Sequence, residues 1–178
     1  ESYYKLVSNI PYYLTSRLLR VLLEKGPSPQ TIVMTVQKEV AERICAKPPK
    51  MNLLALSVQA FGKPEIIKKV PADCFRPKPK IDSAIIRINQ ISDDFFVKNK
   101  ILPEKFFKIV KTAFSSKRKM LINTLSTLAG DKVTSQKMLR LAGIDEKSRP
   151  EELSIEDWSR LYSSMYRSKI GTENNLPA

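Results

Sequence analysis

The stretch Tyr4-Lys5-Leu6-Val7-Ser8-Asn9-Ile10-Pro11-Tyr12 decides the fold of this chain. Residues 4–8 are predicted to form a β-strand, and this strand is expected to end at the turn residues Asn9 and Pro11. Open α/β sheets place their ligands just past the carboxyl ends of their strands. The segment Asn9-Ile10-Pro11-Tyr12, called here the 9–12 turn, is therefore a candidate ligand site, although an ordinary structural turn would explain the same residues.

The residues after this turn alternate predicted helices with predicted strands. Thr15 or Ser16 is expected to cap a leucine-rich helix that ends at Gly26-Pro27. Residues 31–36 are apolar and β-branched, which is typical of a strand buried on both faces of a sheet. Further helices are predicted around residues 40–44 and 53–61, further strands at 65–70 and 83–88, and a proline-enforced extended loop at 75–80.

From residue 102 onward the chain is predicted to be helical. An apolar stripe runs through residues 102–113 and is expected to continue through 121–128. A helix over residues 138–142 is expected to end at Gly143, and Ser154 with Asp157 resembles a capping box that opens the last helix. The predicted fold class is α/β followed by a small all-helical domain, with residues 1–93 in the first domain, 94–168 in the second and a mobile tail at 169–178.

Composition excludes several classes of chemistry. The 178 residues include no histidine, which excludes mechanisms that need an imidazole base, and the five glycines lie too far apart for a glycine-rich phosphate loop. Cys45 and Cys74 have no metal-ligand or disulfide spacing, which indicates a reduced, cytoplasmic setting and no metal site. Apolar runs are short and interrupted by charge, so no membrane span is predicted.

The charge is concentrated in one part of the chain. The net charge is +13, and residues 98–140 carry eleven Lys or Arg against two Asp or Glu. A solvated helix face is the usual explanation of a charge run, but solubility alone does not explain so large a local excess. A polyanionic partner, most simply a nucleic acid, is therefore predicted.

The 9–12 turn suits one particular chemistry. The exocyclic amine of adenine is a poor nucleophile because its lone pair is delocalised into the ring. The side-chain oxygen of Asn9 and a backbone carbonyl can accept both N–H hydrogens and direct the lone pair at an electrophile. The ring of Tyr12 offers the base a stacking surface worth about 1–3 kcal/mol.

Several segments then point to one family. The 9–12 turn resembles the Asn-(Ile/Leu)-Pro-(Tyr/Phe) motif of adenine-N6 methyltransferases that act on ribosomal RNA. Segments that resemble further family motifs follow in the same order, at residues 37–43 (QKEVAER), 75–83 (FRPKPKIDS), 114–125 (FSSKRKMLINTL) and 149–154 (RPEELS). From about Tyr4 to Tyr162 the chain resembles the KsgA family of small-subunit ribosomal RNA adenine dimethyltransferases, in its bacterial branch.

The resemblance implies a role for each residue around the turn. Asn9 would contact both S-adenosylmethionine and the target amine, and Ile10 would lie on the cofactor side. The Ile10 or Pro11 carbonyl would be the second acceptor, and Pro11 would set the geometry of the turn. Tyr12 would stack on the extruded adenine, while Phe75 would close the pocket from the other side unless it only anchors its loop.

The resemblance also implies a substrate. It is a pair of adjacent adenosines in a hairpin loop near the 3′ end of small-subunit (16S) ribosomal RNA, each dimethylated at N6 by a monomeric enzyme. The RNA-binding residues would be Arg76, Lys78, Lys80, Lys105, Lys108, Lys111, Lys117, Arg118 and Lys119.

One departure from the family pattern bears on activity. The glycine-rich cofactor loop and the acidic residues that grip the cofactor in this family would precede the first residue of this chain. Residues 1–93 are therefore expected to be the C-terminal part of a Rossmann-like class I methyltransferase domain, and residues 94–168 a helical RNA-binding domain. The chain alone is expected to be an inactive fragment with no useful affinity for S-adenosylmethionine.

Two alternatives stay open on the sequence. The first is a large-subunit ribosomal RNA adenine methyltransferase of the macrolide-resistance type, which shares the 9–12 motif. The second is a non-catalytic nucleic-acid-binding module on the same fold. Intact Asn9, Pro11 and Tyr12 weigh against the second, because a pure binding module has no need of a turn that polarises an amine.

Overall fold

A computed structural model describes residues 4–24, 26, 28–116 and 119–170, with the side chains described as far as residue 166. The chain divides into two compact units, one of residues 1–46 and 54–95 and the other of residues 47–53 and 96–178. The sequence placed its boundary between residues 93 and 94. The short segment 47–53, which groups with the helical unit, has no counterpart in that prediction.

The first unit is built on a four-stranded mixed sheet. Its strands are β1 (Lys5–Ser8), β2 (Thr31–Gln37), β3 (Lys63–Val70) and β4 (Ser83–Asn89), in the spatial order β1-β2-β4-β3. β1 and β2 are parallel, and β4 runs antiparallel to both of its neighbours. Ser83 pairs with Gln37 on one side and Val70 on the other. The carboxyl ends of β1, β2 and β3 and the start of β4 therefore share one edge of the sheet.

Three helices accompany this sheet in the chain, α1 (Thr15–Glu24), α2 (Lys38–Ile44) and α3 (Leu53–Gln59). The predicted cap at Thr15 or Ser16 is wrong. A 3-10 helix, Tyr12–Leu14, runs directly into α1, and Thr15 already has helical angles (φ −51°, ψ −56°). The helical segment therefore begins just after Pro11, whose carbonyl accepts from Leu14 N at 3.0 Å. Pro27, which was predicted to help end α1, lies outside the described residues.

The core of the sheet lies on one face of β2. Ile32, Met34 and Val36 are fully buried, whereas the residues between them are half-buried. The prediction that this strand is buried on both faces is therefore wrong, because the second face is only partly covered within the described part of the unit. The alternation is the pattern of a sheet with one well-covered face.

β3 is one of the two edge strands and begins two residues earlier than predicted. Pro64 lies inside it, which an edge strand tolerates because the missing N–H is not needed for a second partner. The register shifts between Ile66 and Lys68, which marks a β-bulge. Gly62, just before the strand, is required by close packing, since a Cβ there would lie 3.0 Å from the Asn89 carbonyl oxygen.

The second unit contains five helices among the residues that the structure describes. They are α4 (Asp94–Asn99), α5 (Pro103–Ala113), α6 (Leu121–Ala129), α7 (Lys132–Leu141) and α8 (Ile155–Ile170). α4 was not predicted, and it begins directly at the domain boundary that the sequence indicated between residues 93 and 94. Phe96 of α4 is buried and packs edge-on against Phe106, with ring centroids 5.9 Å apart.

Local capping signals explain where the last two helices, α7 and α8, begin. The Asp131 carboxylate accepts from Thr134 N at 2.8 Å, so α7 starts six residues before the predicted helix. The capping box before α8 is confirmed, since Asp157 N donates to Ser154 Oγ at 3.1 Å and Ser154 N donates to Asp157 Oδ2 at 2.8 Å. α8 extends to Ile170, and residues 171–178 of the predicted mobile tail lie outside the described residues.

Candidate active site

The 9–12 turn leaves the carboxyl end of β1, as predicted. The side chains of Asn9 and Pro11 are exposed, while Ile10 and Tyr12 are half-buried. The Pro11 carbonyl accepts from Leu14 N, which closes the 3-10 helix that Tyr12 begins. An exposed amide on a turn with fixed geometry can reach a ligand, because it does not have to leave a packed environment.

Tyr12 is held by a hydrogen bond from the other end of the unit's sequence. Its hydroxyl lies 2.6 Å from the Oγ atom of Ser83, the first residue of β4. Ser83 is fully buried, with 0% of its surface exposed. The bond joins residues 71 positions apart and places the phenol of Tyr12 at the carboxyl edge of the sheet.

Phe75 lies in the loop of residues 71–82, which connects β3 to β4 and which we call the 71–82 loop. A 3-10 helix, Ala72–Cys74, precedes Phe75, and the Phe75 amide donates to the Ala72 carbonyl at 3.2 Å. Asp82 Oδ1 accepts from Ala72 N at 3.0 Å, which ties the start of the loop to its end. The half-buried ring of Phe75 is therefore carried by a loop whose two ends meet beside Ser83.

The basic residues of this loop are partly engaged within it. Arg76 donates to the carbonyls of Asp73 and Phe75 at 3.4 and 3.2 Å, and Lys78 Nζ lies 2.6 Å from Asp73 Oδ1. The Lys78 pair is exposed on both sides, so the solvent screens it and Lys78 can exchange it for a phosphate. Arg76 and Lys78 were predicted to bind RNA, and that prediction took no account of Asp73 in the same loop.

Lys80 has a different environment. It lines a cavity of about 450 Å³ at the same edge of the sheet, together with Lys38, Glu39, Glu42, Ile81 and Asp82. The cavity has mixed charge, so Lys80 faces carboxylates as well as solvent. None of the α2 residues was predicted to be near this loop, although they directly follow β2.

Four of the predicted basic residues of the helical unit, Lys105, Lys108, Lys111 and Lys119, are described by the structure and lie on its surface. Lys105, Lys108 and Lys111 are exposed on α5, whose opposite side buries Phe106, Ile109, Val110 and Ala113. Lys105 Nζ lies 5.0 Å from the centroid of the Tyr166 ring, a cation–π contact that fixes one end of the row. Lys119 is exposed, and Lys117 and Arg118 lie outside the described residues.

Among the residues that the structure describes, neither the Cys45 thiol nor a cluster of acidic side chains provides a reactive centre or a metal site. Burial, helped by the Glu65 carboxylate, raises the pKa of the Cys45 thiol, which keeps it protonated and unreactive. Within residues 4–166, apart from the masked positions, no group of three or more acidic or cysteine side chains is arranged to hold a metal ion. No helix in the same described ranges has the length and apolar content needed to cross a membrane.

Comparison with known proteins identifies the family of this chain. The ribosomal RNA adenine dimethylase family model matches residues 1–166. Proteins named ribosomal RNA small subunit methyltransferase A are similar over nearly the whole chain. The protein from Dehalococcoides mccartyi (strain CBDB1) is 42% identical over 159 residues, and that from Fusobacterium nucleatum is 42% identical over 158 residues. These alignments cover 89% and 88% of this chain but 54% and 60% of the relatives, so the chain spans little more than half of their length.

Two solved structures share the fold. A dimethyladenosine transferase from Plasmodium falciparum superposes with a TM-score of 0.79 at 23% identity, over 95% of this chain and 69% of that one. The 23S rRNA methyltransferase ErmE superposes with a TM-score of 0.68 at 24% identity, over 90% of this chain and 64% of that one. These likenesses confirm the predicted fold class. With the family match over residues 1–166, they lead to one assignment: the chain belongs to the ribosomal RNA adenine dimethylase family.

Proposed function

We propose that this chain is part of a methyltransferase that transfers methyl groups from S-adenosylmethionine to the N6 atoms of adenosines in ribosomal RNA. The observation that carries the proposal is the position of the 9–12 turn. It leaves β1 at the edge of the sheet where Ser83 holds the Tyr12 phenol and where the 71–82 loop carries Phe75. Family membership and the names of the relatives support the same reaction.

The residues of the turn fit the target base better than they fit the whole cofactor. Asn9 and Ile10 would hold the methyl-donor end, but the five separated glycines provide no loop for the rest of the molecule. When bound, S-adenosylmethionine supplies an electrophilic methyl group. The Asn9 side-chain oxygen and the Ile10 carbonyl accept the two amine hydrogens; we assign Ile10 rather than Pro11 because the Pro11 carbonyl already accepts from Leu14 N. The proton that the methylated nitrogen releases goes to solvent, so no base is needed.

The proposed substrate is the pair of adjacent adenosines in the 3′-terminal hairpin loop of 16S ribosomal RNA, within a precursor of the small subunit. Loop bases are the cheapest to extrude, and the ring of Tyr12 offsets the stacking that the extruded base loses. Small-subunit function is stated in the names of the relatives at about 40% identity. Such a substrate would place the enzyme, acting as a monomer, in the cytoplasm.

The test uses the complete natural protein that carries this sequence. Methyl incorporation is measured on small-subunit and large-subunit ribosomal RNA, and the product is identified by mass spectrometry. We expect N6,N6-dimethyladenosine in the small-subunit RNA only. The Asn9→Ala variant should bind the RNA normally but lose about 100-fold or more in methyl transfer, the usual effect of removing a group that stabilises developing charge. Methylation of large-subunit RNA, or full activity of the variant, would contradict the proposal.

The 178-residue chain by itself has a separate test. Because its residues provide only one end of a cofactor site, we propose that it neither binds S-adenosylmethionine usefully nor methylates RNA. Calorimetric titration with the cofactor should give no measurable heat of binding. A micromolar dissociation constant would contradict this part of the proposal while leaving the reaction assignment intact.

A further inference from the structure

Ser83 is a buried polar residue next to the proposed site to which the reaction gives no role. Its Oγ atom lies 2.6 Å from the Tyr12 hydroxyl, and none of its surface is exposed. The distance is at the short end for two hydroxyl groups, which indicates a well-formed hydrogen bond. A buried hydroxyl without a partner is costly, so each group favours the position that satisfies the other.

The backbone around Ser83 is fixed from three directions. Ser83 lies in β4 between β2 and β3 and pairs with Gln37 and Val70. The carbonyl of the preceding residue, Asp82, accepts from Lys38 N at 3.0 Å, and its carboxylate accepts from Ala72 N at 3.0 Å. Ser83 Oγ is therefore a stationary anchor and not a mobile surface hydroxyl.

Tyr12, in contrast, lies in a segment with little packing of its own. The residues on either side, Pro11 and Tyr13, are exposed, and Tyr13 is 82% exposed. The ring of Tyr12 is half-buried, and the hydrogen bond at its far end fixes the position of the phenol oxygen and limits how far the side chain can swing about its Cα–Cβ bond. A stacking surface acts best when its orientation is set before the base arrives, because the entropy of ordering is then not lost during binding.

We propose that Ser83 is a positioning residue that sets the orientation of the Tyr12 ring for methyl transfer. The inference rests on the proposed function, since it assumes that Tyr12 stacks on the target adenine. Ser83 does not touch the base in this account and acts only through the Tyr12 hydroxyl. The same edge of the sheet holds the end of the 71–82 loop, so the Asp82-Ser83 pair connects both aromatic residues of the proposed pocket to one fixed point.

The test is a double-mutant cycle in the complete protein. Ser83→Ala removes the anchor, and Tyr12→Phe removes the hydroxyl but keeps the stacking ring. Losing one neutral hydrogen bond that acts in the transition state corresponds to about a threefold to tenfold lower rate constant. We expect each single variant to lower kcat by about that factor with a KM for RNA within about twofold of wild type. The double variant should be no slower than either single variant, because both remove the same bond.

The matched control is Ser135→Ala. Ser135 is also 0% exposed, and its hydroxyl donates to the Asp131 carbonyl at 3.0 Å in the helical unit. This variant should lose thermal stability without any change in kcat per folded molecule. A stability loss in Ser83→Ala with unchanged kcat would assign Ser83 a structural role only and overturn the proposal.

The remaining outcomes also decide the question. Losses that multiply in the double variant would show that the two hydroxyl groups act independently, which overturns the proposal. If Ser83→Ala does not fold, Tyr12→Phe decides, because an unchanged kcat in that variant excludes any role for the bond. Absence of methylation by the wild-type protein would instead overturn the proposed function itself, so the two failures are distinguishable.

Discussion

The row of lysines on α5 gives the sharpest prediction about RNA binding. Lys105, Lys108 and Lys111 are exposed on one helix, and the apolar residues between them are buried in the helical unit. Replacing all three with glutamine removes three charges, keeps good helix formers and leaves the buried face untouched. Each lysine that contacts one phosphate of single-stranded RNA contributes about 0.7 to the slope of log association constant against log salt concentration. If all three lysines make such a contact, the slope of the triple variant should be shallower by about 2.

This slope can be converted into a measured ratio. For a fourfold rise in salt concentration, the wild-type protein should lose roughly 20-fold more affinity than the triple variant does. The assay is fluorescence anisotropy with the 3′-terminal hairpin of 16S ribosomal RNA at several salt concentrations, using the complete protein. Thermal unfolding of the variant confirms that loss of the Lys105 contact with the Tyr166 ring has not unfolded the unit.

A second triple variant controls for net charge. Lys63, Lys68 and Lys69 are exposed on the edge strand β3 and belong to no predicted binding surface. Changing these three to glutamine lowers the net charge of the chain by the same amount. An unchanged slope in the α5 variant, or an equal change in the β3 variant, would refute the assignment of α5 to RNA, because long-range attraction would then explain the binding.

Three further predictions concern stability and reactivity. Ile86→Ala in the centre of β4 removes a fully buried side chain and should lower the free energy of unfolding by about 2–5 kcal/mol in urea denaturation. Cys74 is exposed and should react quickly with a disulfide reagent. Burial raises the pKa of Cys45, so its thiol should react slowly and faster as the pH rises. Equal reaction rates of the two thiols would contradict this prediction. Hydrogen bonds from Thr134 lower the pKa of Asp131, so its contribution to stability is present above about pH 4 and is lost below it. Wild type and Asp131→Ala should then converge in thermal stability as the pH falls, and a constant difference would exclude the carboxylate as the cause.

Short-range signals predicted the elements that depend on neighbouring residues. Ser154 and Asp157 stand three positions apart and form the capping box that their spacing predicted. The same kind of signal at Asp131 was overlooked, which is why α7 begins earlier than predicted. The location of the 9–12 turn was predictable because one strand and its end are visible in nine consecutive residues.

Contacts set by sheet register were not predictable in this way. The bond between Tyr12 and Ser83 spans 71 positions and depends on β4 lying between β2 and β3. Ser83 was visible in the sequence as the start of a strand and as the last residue of the 75–83 motif, but neither indicated a contact with Tyr12. The half-buried face of β2 likewise does not follow from its β-branched run, which does not reveal how much of each face the neighbouring elements cover.

The antiparallel direction of β4 is what brings the parts of the proposed site together. β3 ends at the carboxyl edge of the sheet, where ligands bind in α/β folds. Because β4 runs antiparallel to it, the 71–82 loop begins and ends at that edge, which is also the edge where β1 ends. A parallel β4 would need a connection that crosses to the opposite edge, which would place the start of β4, and Ser83 with it, away from the 9–12 turn. The reversal of one strand therefore places the Ser83 anchor of Tyr12 at the same edge of the sheet as the loop that carries Phe75.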